Sequence, residues 1–140
     1  MKNPIYPCLW FDGLAKEAAD YYCSIFKHSN ILEESPVVVS FEINGNKFMA
    51  LNGGNTDNFN QSISFVVECE SQDEIDYYWS KLSEGGEESY CGWLKDRFGI
   101  SWQIIPAILS DLMKDSEKAD KIFKSMSHIR KFNIGDLLKV

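Results

Sequence analysis

The sequence predicts an α+β fold built from two similar units, each a strand, a helix and two or three further strands, with helices at the C-terminal end. Three observations lead there. Apolar patterns of strand period and of helix period alternate along the chain in two rounds. The segment Asp20-Tyr21-Tyr22-Cys23-Ser24 returns 56 positions later as Asp76-Tyr77-Tyr78-Trp79-Ser80, matching at four of five positions. At nearly that offset the first strands align, Ile5–Phe11 with Gln61–Val67, and at 54 the last strands do, Phe48–Leu51 with Trp102–Ile105. Three segments in one order at one period mark an internal duplication. The 140 residues then form a single domain, with repeats over about 4–54 and 61–106 and a helical tail over 107–140.

Each element has a local reason. Ile5–Phe11 is an apolar strand that Asp12-Gly13 breaks, offering a cap for the next element. Over Leu14–Phe26 the apolar positions Leu14, Ala18, Tyr21/Tyr22 and Ile25/Phe26 recur every three to four residues, a helix. Pro36 opens the β-branched run Val37–Ile43, Asn44-Gly45-Asn46 is a hairpin turn, and Lys47–Asn52 returns. Gly53–Gln61 is a polar loop. The second round starts with Ile63–Cys69. Ser71 with Glu74 three residues on is a capping-box pattern for a helix over Gln72–Leu82, which Gly85-Gly86 ends. Glu87–Tyr90 and Gly92–Lys95 are short strands, and Arg97–Gly99 is a turn. Ile100–Ile105, closed by Pro106, is the last strand. Ile108–Met113, Glu117–Met126 and a turn at Ile134–Leu138 are helical.

Composition narrows the function. Fourteen Lys and Arg against 21 Asp and Glu give a net charge of −7, which repels phosphate backbones and anionic membranes alike. No nucleic-acid or membrane partner is expected. Met1-Lys2-Asn3-Pro4 reads as no signal peptide, and no apolar run reaches the ~18 residues of a membrane span. Cys8, Cys23, Cys69 and Cys91 contain no C-x-x-C pair and no zinc spacing. Reduced thiols in a cytoplasm follow, three of them in apolar surroundings and Cys91 in a glycine-flanked turn. There is no G-x-S-x-G, P-loop or G-x-G-x-x-G.

A family likeness rests on named segments. They are Trp10-Phe11-Asp12-Gly13, Ala18-Ala19-Asp20-Tyr21-Tyr22, Ala50-Leu51-Asn52-Gly53-Gly54 and Ile63-Ser64-Phe65. The most specific is Cys91-Gly92-Trp93-Leu94-Lys95-Asp96-Arg97-Phe98-Gly99-Ile100-Ser101-Trp102-Gln103-Ile104. From residue 4 to about 132 the chain resembles the PhnB-like proteins of the glyoxalase/bleomycin-resistance/dioxygenase (vicinal oxygen chelate) superfamily. Members often carry the label 3-demethylubiquinone-9 3-methyltransferase. The resemblance implies paired βαβββ modules forming a cup-like mixed sheet, and a homodimer. One departure stands out: between the first helix and Val37 only His28–Pro36 remains where the family has a longer segment. A lost or shortened strand and an open edge are expected there, and open edges invite pairing with a second chain.

In superfamily enzymes four cup-facing residues, commonly His and Glu, hold a divalent metal. Strand alternation shows what stands at those positions here. With Ile63, Phe65 and Val67 packed under the helices, Ser62, Ser64 and Val66 face the cup, and the repeat offset adds Tyr6, Cys8 and Trp10. Gln103 occupies the position of a family Glu ligand, with Met49 and Leu51 opposite. The expected ligand set is therefore Tyr6, Met49 or Leu51, Ser62 and Gln103, which lacks the carboxylates and imidazoles a divalent ion requires. His28 and His128 lie far in sequence from these strands. No metal and no cofactor are expected.

A pocket of aromatic and amide groups remains. Trp10, Trp93 and Trp102 could stack on a flat ligand, while Asn52 and Gln103 could orient it. Trp102 and Trp79 are expected in the core, Asn52-Gly53-Gly54 serves equally well to end a strand, and Arg97 is expected to pair with Asp96 in a turn. The catalytic residues stay unassigned. The function expected first is metal-independent binding of a small organic molecule, aromatic ones foremost. An enzyme, as the family label says, and an interaction domain docking through its helical tail are the alternatives.

Overall fold

The computed structural model describes residues 3–54 and 58–140, and in it the two rounds become two four-stranded sheets of identical connectivity. The chain divides into two compact units, Met1–Asn58 and Phe59–Val140. The first contains β1 (Cys8–Phe11), α1 (Ala15–Ile25), β2 (Asn30–Glu34), β3 (Val38–Ile43) and β4 (Asn46–Asn52), with sheet order β1-β4-β3-β2. The second contains β5 (Ser64–Cys69), α2 (Gln72–Ser83), β6 (Glu87–Glu88), β7 (Trp93–Lys95) and β8 (Ser101–Pro106), ordered β5-β8-β7-β6. In each sheet the first strand pairs in parallel with the last and the remaining neighbours are antiparallel. The duplication read from Tyr-Tyr segments is thus a duplication of topology.

Strand alternation divides the first sheet into two faces. Leu9, Phe11, Val39, Phe41 and Ala50 are buried on the side of α1, where they meet Ala15, Ala18, Ala19, Tyr22 and Ile25. Small residues at 15, 18 and 19 let the helix axis approach the sheet, and Tyr22 then stacks on Phe41 at 6.3 Å. The β3–β4 hairpin turns on Asn44 and Gly45, both at positive φ (50° and 83°), the two-residue I′ geometry its sequence requires.

Four local expectations are corrected. The first strand starts at Cys8, not Ile5, which is almost wholly exposed. The segment between the first helix and Val37 keeps its strand: β2 pairs antiparallel with β3, with a register shift between Ile31 and Glu33. Its exposed, acidic sequence carries no apolar alternation because it is an edge strand wet on one side. Asp12-Gly13 supplies a turn but no cap. Instead Asn52 Oδ1, at the end of β4, accepts from the Ala15 amide at 2.9 Å. Ile63 precedes β5 and is exposed rather than packed under a helix.

In the second unit α2 starts as expected. Ser71 Oγ accepts from the Glu74 amide at 3.2 Å, and Glu74 Oε1 accepts from the Glu70 amide at 2.6 Å, one residue before the usual partner. Trp79 is buried on α2, with its indole N–H donating to Glu88 Oε2 at 3.1 Å. The turn between β7 and β8 is organised by Asp96, only 2% exposed. Its carboxylate accepts from the amides of Phe98 (2.9 Å) and Ile100 (3.0 Å) and from Trp102 Nε1 (2.9 Å). Arg97 lies over the Phe98 ring at 5.1 Å.

Of the C-terminal helices α3 (Leu109–Leu112), α4 (Ser116–Met126) and α5 (Ile134–Leu138), α4 buries Ile122 and Met126 and α5 buries Leu137, and Phe132 between them is buried as well. Gln72 clamps them: Nε2 donates to the Phe132 carbonyl at 3.0 Å and Oε1 accepts from the Ile134 amide at 2.8 Å. Lys131 pairs with Asp76 at 2.7 Å and, with Gln72, holds that carboxyl below its ordinary range. The amides of Cys91 and Gly92 donate to the carbonyls of Ile129 and Arg130, both at 2.8 Å. Among the described residues no helix is long and apolar enough to cross a membrane.

Candidate functional site

Each sheet has a face turned away from its helix, and most of the expected ligand-contacting residues stand there. In the first unit the parallel register sets Cys8 beside Met49 and Trp10 beside Leu51, all on the face opposite Leu9, Phe11 and Ala50. Tyr6 precedes β1 and lies under Lys47, whose Nζ is 4.3 Å from the ring centroid. Trp10 is 44% exposed yet fixed in position. Its Nε1 donates to the Gly54 carbonyl at 3.4 Å, and its six-membered ring lies directly on Gly53. A Cβ at Gly53 would fall 2.0 Å from Trp10 Cζ2. That contact between residues 10 and 53 is the feature the sequence did not reveal, although Gly53-Gly54 was its trace.

A direct test is Gly53→Ala. The indole must leave its seat, so its N–H resonance is expected to move to a solvent-exposed position, while stability falls by no more than about 1 kcal/mol because the ring is already half wet. An unmoved Trp10 resonance would show that the seat does not set the ring's position.

Asn52 stands on the other side. Its Oδ1 is engaged by Ala15 and its Nδ2 donates to the Pro36 carbonyl at 3.2 Å, so the side chain ties β4 to the start of α1. The thiols are likewise structural in part. Burial, with Glu74 nearby, pushes the Cys69 thiol up to about 12, and desolvation raises Cys8 above its ordinary value. Cys91 Sγ donates to the Met126 carbonyl at 3.0 Å.

In the second unit Trp93 is paired in register with Gln103, and Gln103 with Val66. Gln103 Nε2 donates to Ser64 Oγ at 2.9 Å, so Ser64, Trp93 and Gln103 share one face. Trp102 is buried on the opposite face against Phe65, ring centroids 5.3 Å apart. Ser62 departs from expectation: it lies in the turn before β5, where its amide donates to Asn60 Oδ1 at 2.8 Å. The registers also pair Leu51 with Trp10 and Gln103 with Val66, making Leu51 rather than Met49 the counterpart of Gln103. Both have the same parity, so the face assignment is unaffected.

The donor chemistry of these faces does not fit a divalent metal. Phenol, thioether, hydroxyl and amide are weak neutral ligands, the one thiol on these faces, Cys8, has its thiolate disfavoured by desolvation, and among the described residues no three of His, Cys, Asp and Glu gather where they could hold an ion. S-adenosylmethionine, the cofactor implied by a methyltransferase label, fares no better. The turn into α1 has one glycine and its first helical amide is taken by Asn52, while the turn into α2 is capped by Ser71 and has none. Neither offers the glycine-rich cradle such a cofactor uses.

The model of the family described as 3-demethylubiquinone-9 3-methyltransferase matches residues 3–105. A PhnB protein from Bacillus cereus is 31% identical, with a TM-score of 0.67, covering 75% of this chain and 100% of its own. Protein PA1353 from Pseudomonas aeruginosa is 19% identical, with a TM-score of 0.63 and coverages of 75% and 98%. The fosfomycin resistance protein FosX of Listeria monocytogenes, solved with Mn(II) and sulfate, is 14% identical with a TM-score of 0.61, covering 81% and 97%. No curated protein matches. The α+β architecture of two four-stranded mixed sheets is therefore that of the glyoxalase/bleomycin-resistance fold.

Proposed function

Because the chain belongs to the 3-demethylubiquinone-9 3-methyltransferase family, whose PhnB-like members share its fold, we propose that it binds a small, flat organic molecule without a metal. The observation that carries the proposal is the Trp10 indole, half exposed yet seated on Gly53. A surface aromatic held rigidly stacks on a ligand at little entropic cost. Met49 and Leu51 continue that face with apolar surface, and the second unit's own sheet separately carries a ring, a hydroxyl and an amide on one face, from Trp93, Ser64 and Gln103. Thermal-shift and native mass-spectrometric screening with aromatic and quinone-like compounds tests it. Stabilisation and a one-to-one adduct are expected, and no binder at millimolar concentration would refute it.

The family description favours a second reading, methyl transfer. Calorimetry with S-adenosylmethionine separates the two, because a one-to-one isotherm would require a cofactor site the βα turns do not supply. As part of the same proposal the protein is a cytoplasmic homodimer. Its four free cysteines suit a reducing compartment, and the edge strand β2 leaves backbone groups for a second copy.

The donor set gives a sharper expectation. Purified protein should carry no stoichiometric Zn, Ni, Fe or Mn, and EDTA should leave its melting temperature unchanged, because no metal binding energy is linked to folding. Elemental analysis near one metal per chain after desalting would contradict it.

A further inference from the structure

Four side-chain donors in the second unit have no protein acceptor among the described residues: the Gln61 amide, the Ser89 hydroxyl, the Trp93 indole N–H and the Lys95 ammonium. These four residues, with Glu87, Glu88 and Leu94, line one cavity of about 100 Å3 beside strands β6 and β7. We infer that this cavity takes a small aromatic acid, a single ring bearing a carboxylate. The inference rests on the small-molecule reading above and gives it a ligand class.

The charge follows from which groups are already engaged. The acceptors beside the cavity are mostly taken: Glu88 Oε2 receives the Trp79 indole N–H, and the Glu88 carbonyl receives Arg130 Nη1 at 3.0 Å. The donors are not. Glu87 is the register partner of Lys95 across the β6–β7 ladder, but the two form no ion pair, and Glu87 is exposed, so water screens its charge. A carboxylate entering the cavity gains the Lys95 ammonium and two or three neutral donors, which charge-assisted hydrogen bonding rewards. An ammonium ligand would meet Lys95 and those same donors, while the two carboxylates in its favour, Glu87 and Glu88, are both exposed and screened, and Glu88 already holds the Trp79 indole N–H.

Size and shape follow from Trp93. Trp93 and Lys95 are two apart on one strand and so share a face, setting a ring platform next to a cation. An enclosed apolar cavity of roughly 150 Å3 accommodates benzene. One of about 100 Å3, open to solvent at its rim, takes a single ring and no fused pair.

The experiment titrates the full 15N-labelled chain with benzoate, benzamide, benzylammonium and 1,4-naphthoquinone, following indole N–H resonances assigned with Trp93→Phe and Trp10→Phe. Benzoate is expected to shift the Trp93 resonance saturably and benzamide at least about tenfold more weakly, the factor that one lost charge-assisted bond carries. Lys95→Gln should weaken benzoate about tenfold, and Glu87→Gln should tighten it about two- to threefold by removing a like charge. Glu87 is exposed on the edge strand β6 and the Lys95 side chain is only half-buried on β7, so both variants are expected to fold. Benzoate binding that is unchanged in Lys95→Gln overturns the inference. So does preferential binding of benzylammonium that Glu87→Gln abolishes. A Trp10 response to the quinone with no Trp93 response to benzoate overturns the inference and leaves the broader reading standing, and silence of both indoles overturns both.

Discussion

Replacing Asp96 by alanine is expected to destabilise the second unit by about 4 kcal/mol, seen as a fall in melting temperature of roughly 15–25 °C. The side chain is buried and accepts three hydrogen bonds, two from amides of its own turn and one from the Trp102 indole. Alanine leaves all three donors without an acceptor, and an unsatisfied buried donor costs about 1–3 kcal/mol. The turn also loses the group that holds Phe98 to Ile100 in place. Asp96→Asn separates acceptor count from shape: it keeps one oxygen but turns an N–H toward a donor, so about half the loss is expected. Urea unfolding of the two variants measures both. A change below 1 kcal/mol in Asp96→Ala would show that water satisfies those donors and that the carboxylate is not the organiser of the turn.

Gly92→Ala should be nearly as damaging, by about 3 kcal/mol, but through the backbone. Gly92 has φ +80°, which a side chain tolerates poorly, and a Cβ there would stand 2.7 Å from the Ile104 carbonyl and 2.7 Å from a Phe132 ring carbon. Its own carbonyl accepts from the Ile104 amide at 2.7 Å, and its amide donates to Arg130. Moving it therefore disturbs β8 and the C-terminal segment together. Limited proteolysis should cut between residues 107 and 133 much faster in the variant. An unaltered cleavage pattern with an unaltered unfolding midpoint would exclude this role. Together these two residues explain why the Cys91–Ile104 segment is so distinctive: it encodes a turn held by one carboxylate and a glycine on which another segment rests.

Periodicity made most of this fold legible, and it failed where the determining contact is distant in sequence. Leu9 and Phe11 alternate with exposed residues along β1, so one face of that sheet could be read without a structure, whereas in β8 Trp102 sits beside the buried Ser101 and its face followed only from pairing with Phe65. Ser71 and Glu74 form a cap within four residues and were equally visible. Strand β2 was not, since an edge strand that is mostly exposed has no apolar period to detect. Neither was the duty of Asn52, whose partner Ala15 is 37 residues away and whose residue type serves turns, caps and ligands alike. Of the residues expected to contact ligand, Cys8, Trp10, Met49 and Leu51 share one face, and Ser64, Trp93 and Gln103 share another. Ser62 was misplaced because a strand's first residue cannot be fixed from alternation alone, and Ile63 with it. The alternation carried the argument only inside the ladders.

The C-terminal helices have a consequence for the order in which the molecule comes into being. The first unit holds its sheet, its helix and its core within the first 58 positions, so everything it needs has been synthesised before β5 exists. The second unit is different: Phe132 and Leu137 are core residues, and the clamp on Gln72 closes only on Phe132 and Ile134. While the ribosome is still making those residues, the Gln72 amide and the backbone amides of Cys91 and Gly92 lack the partners that will cover them. Domains emerging N-terminal first fold as units, so the nascent chain passes through a stage with one finished half and one unfinished half, and the unfinished half is the one at risk of aggregation.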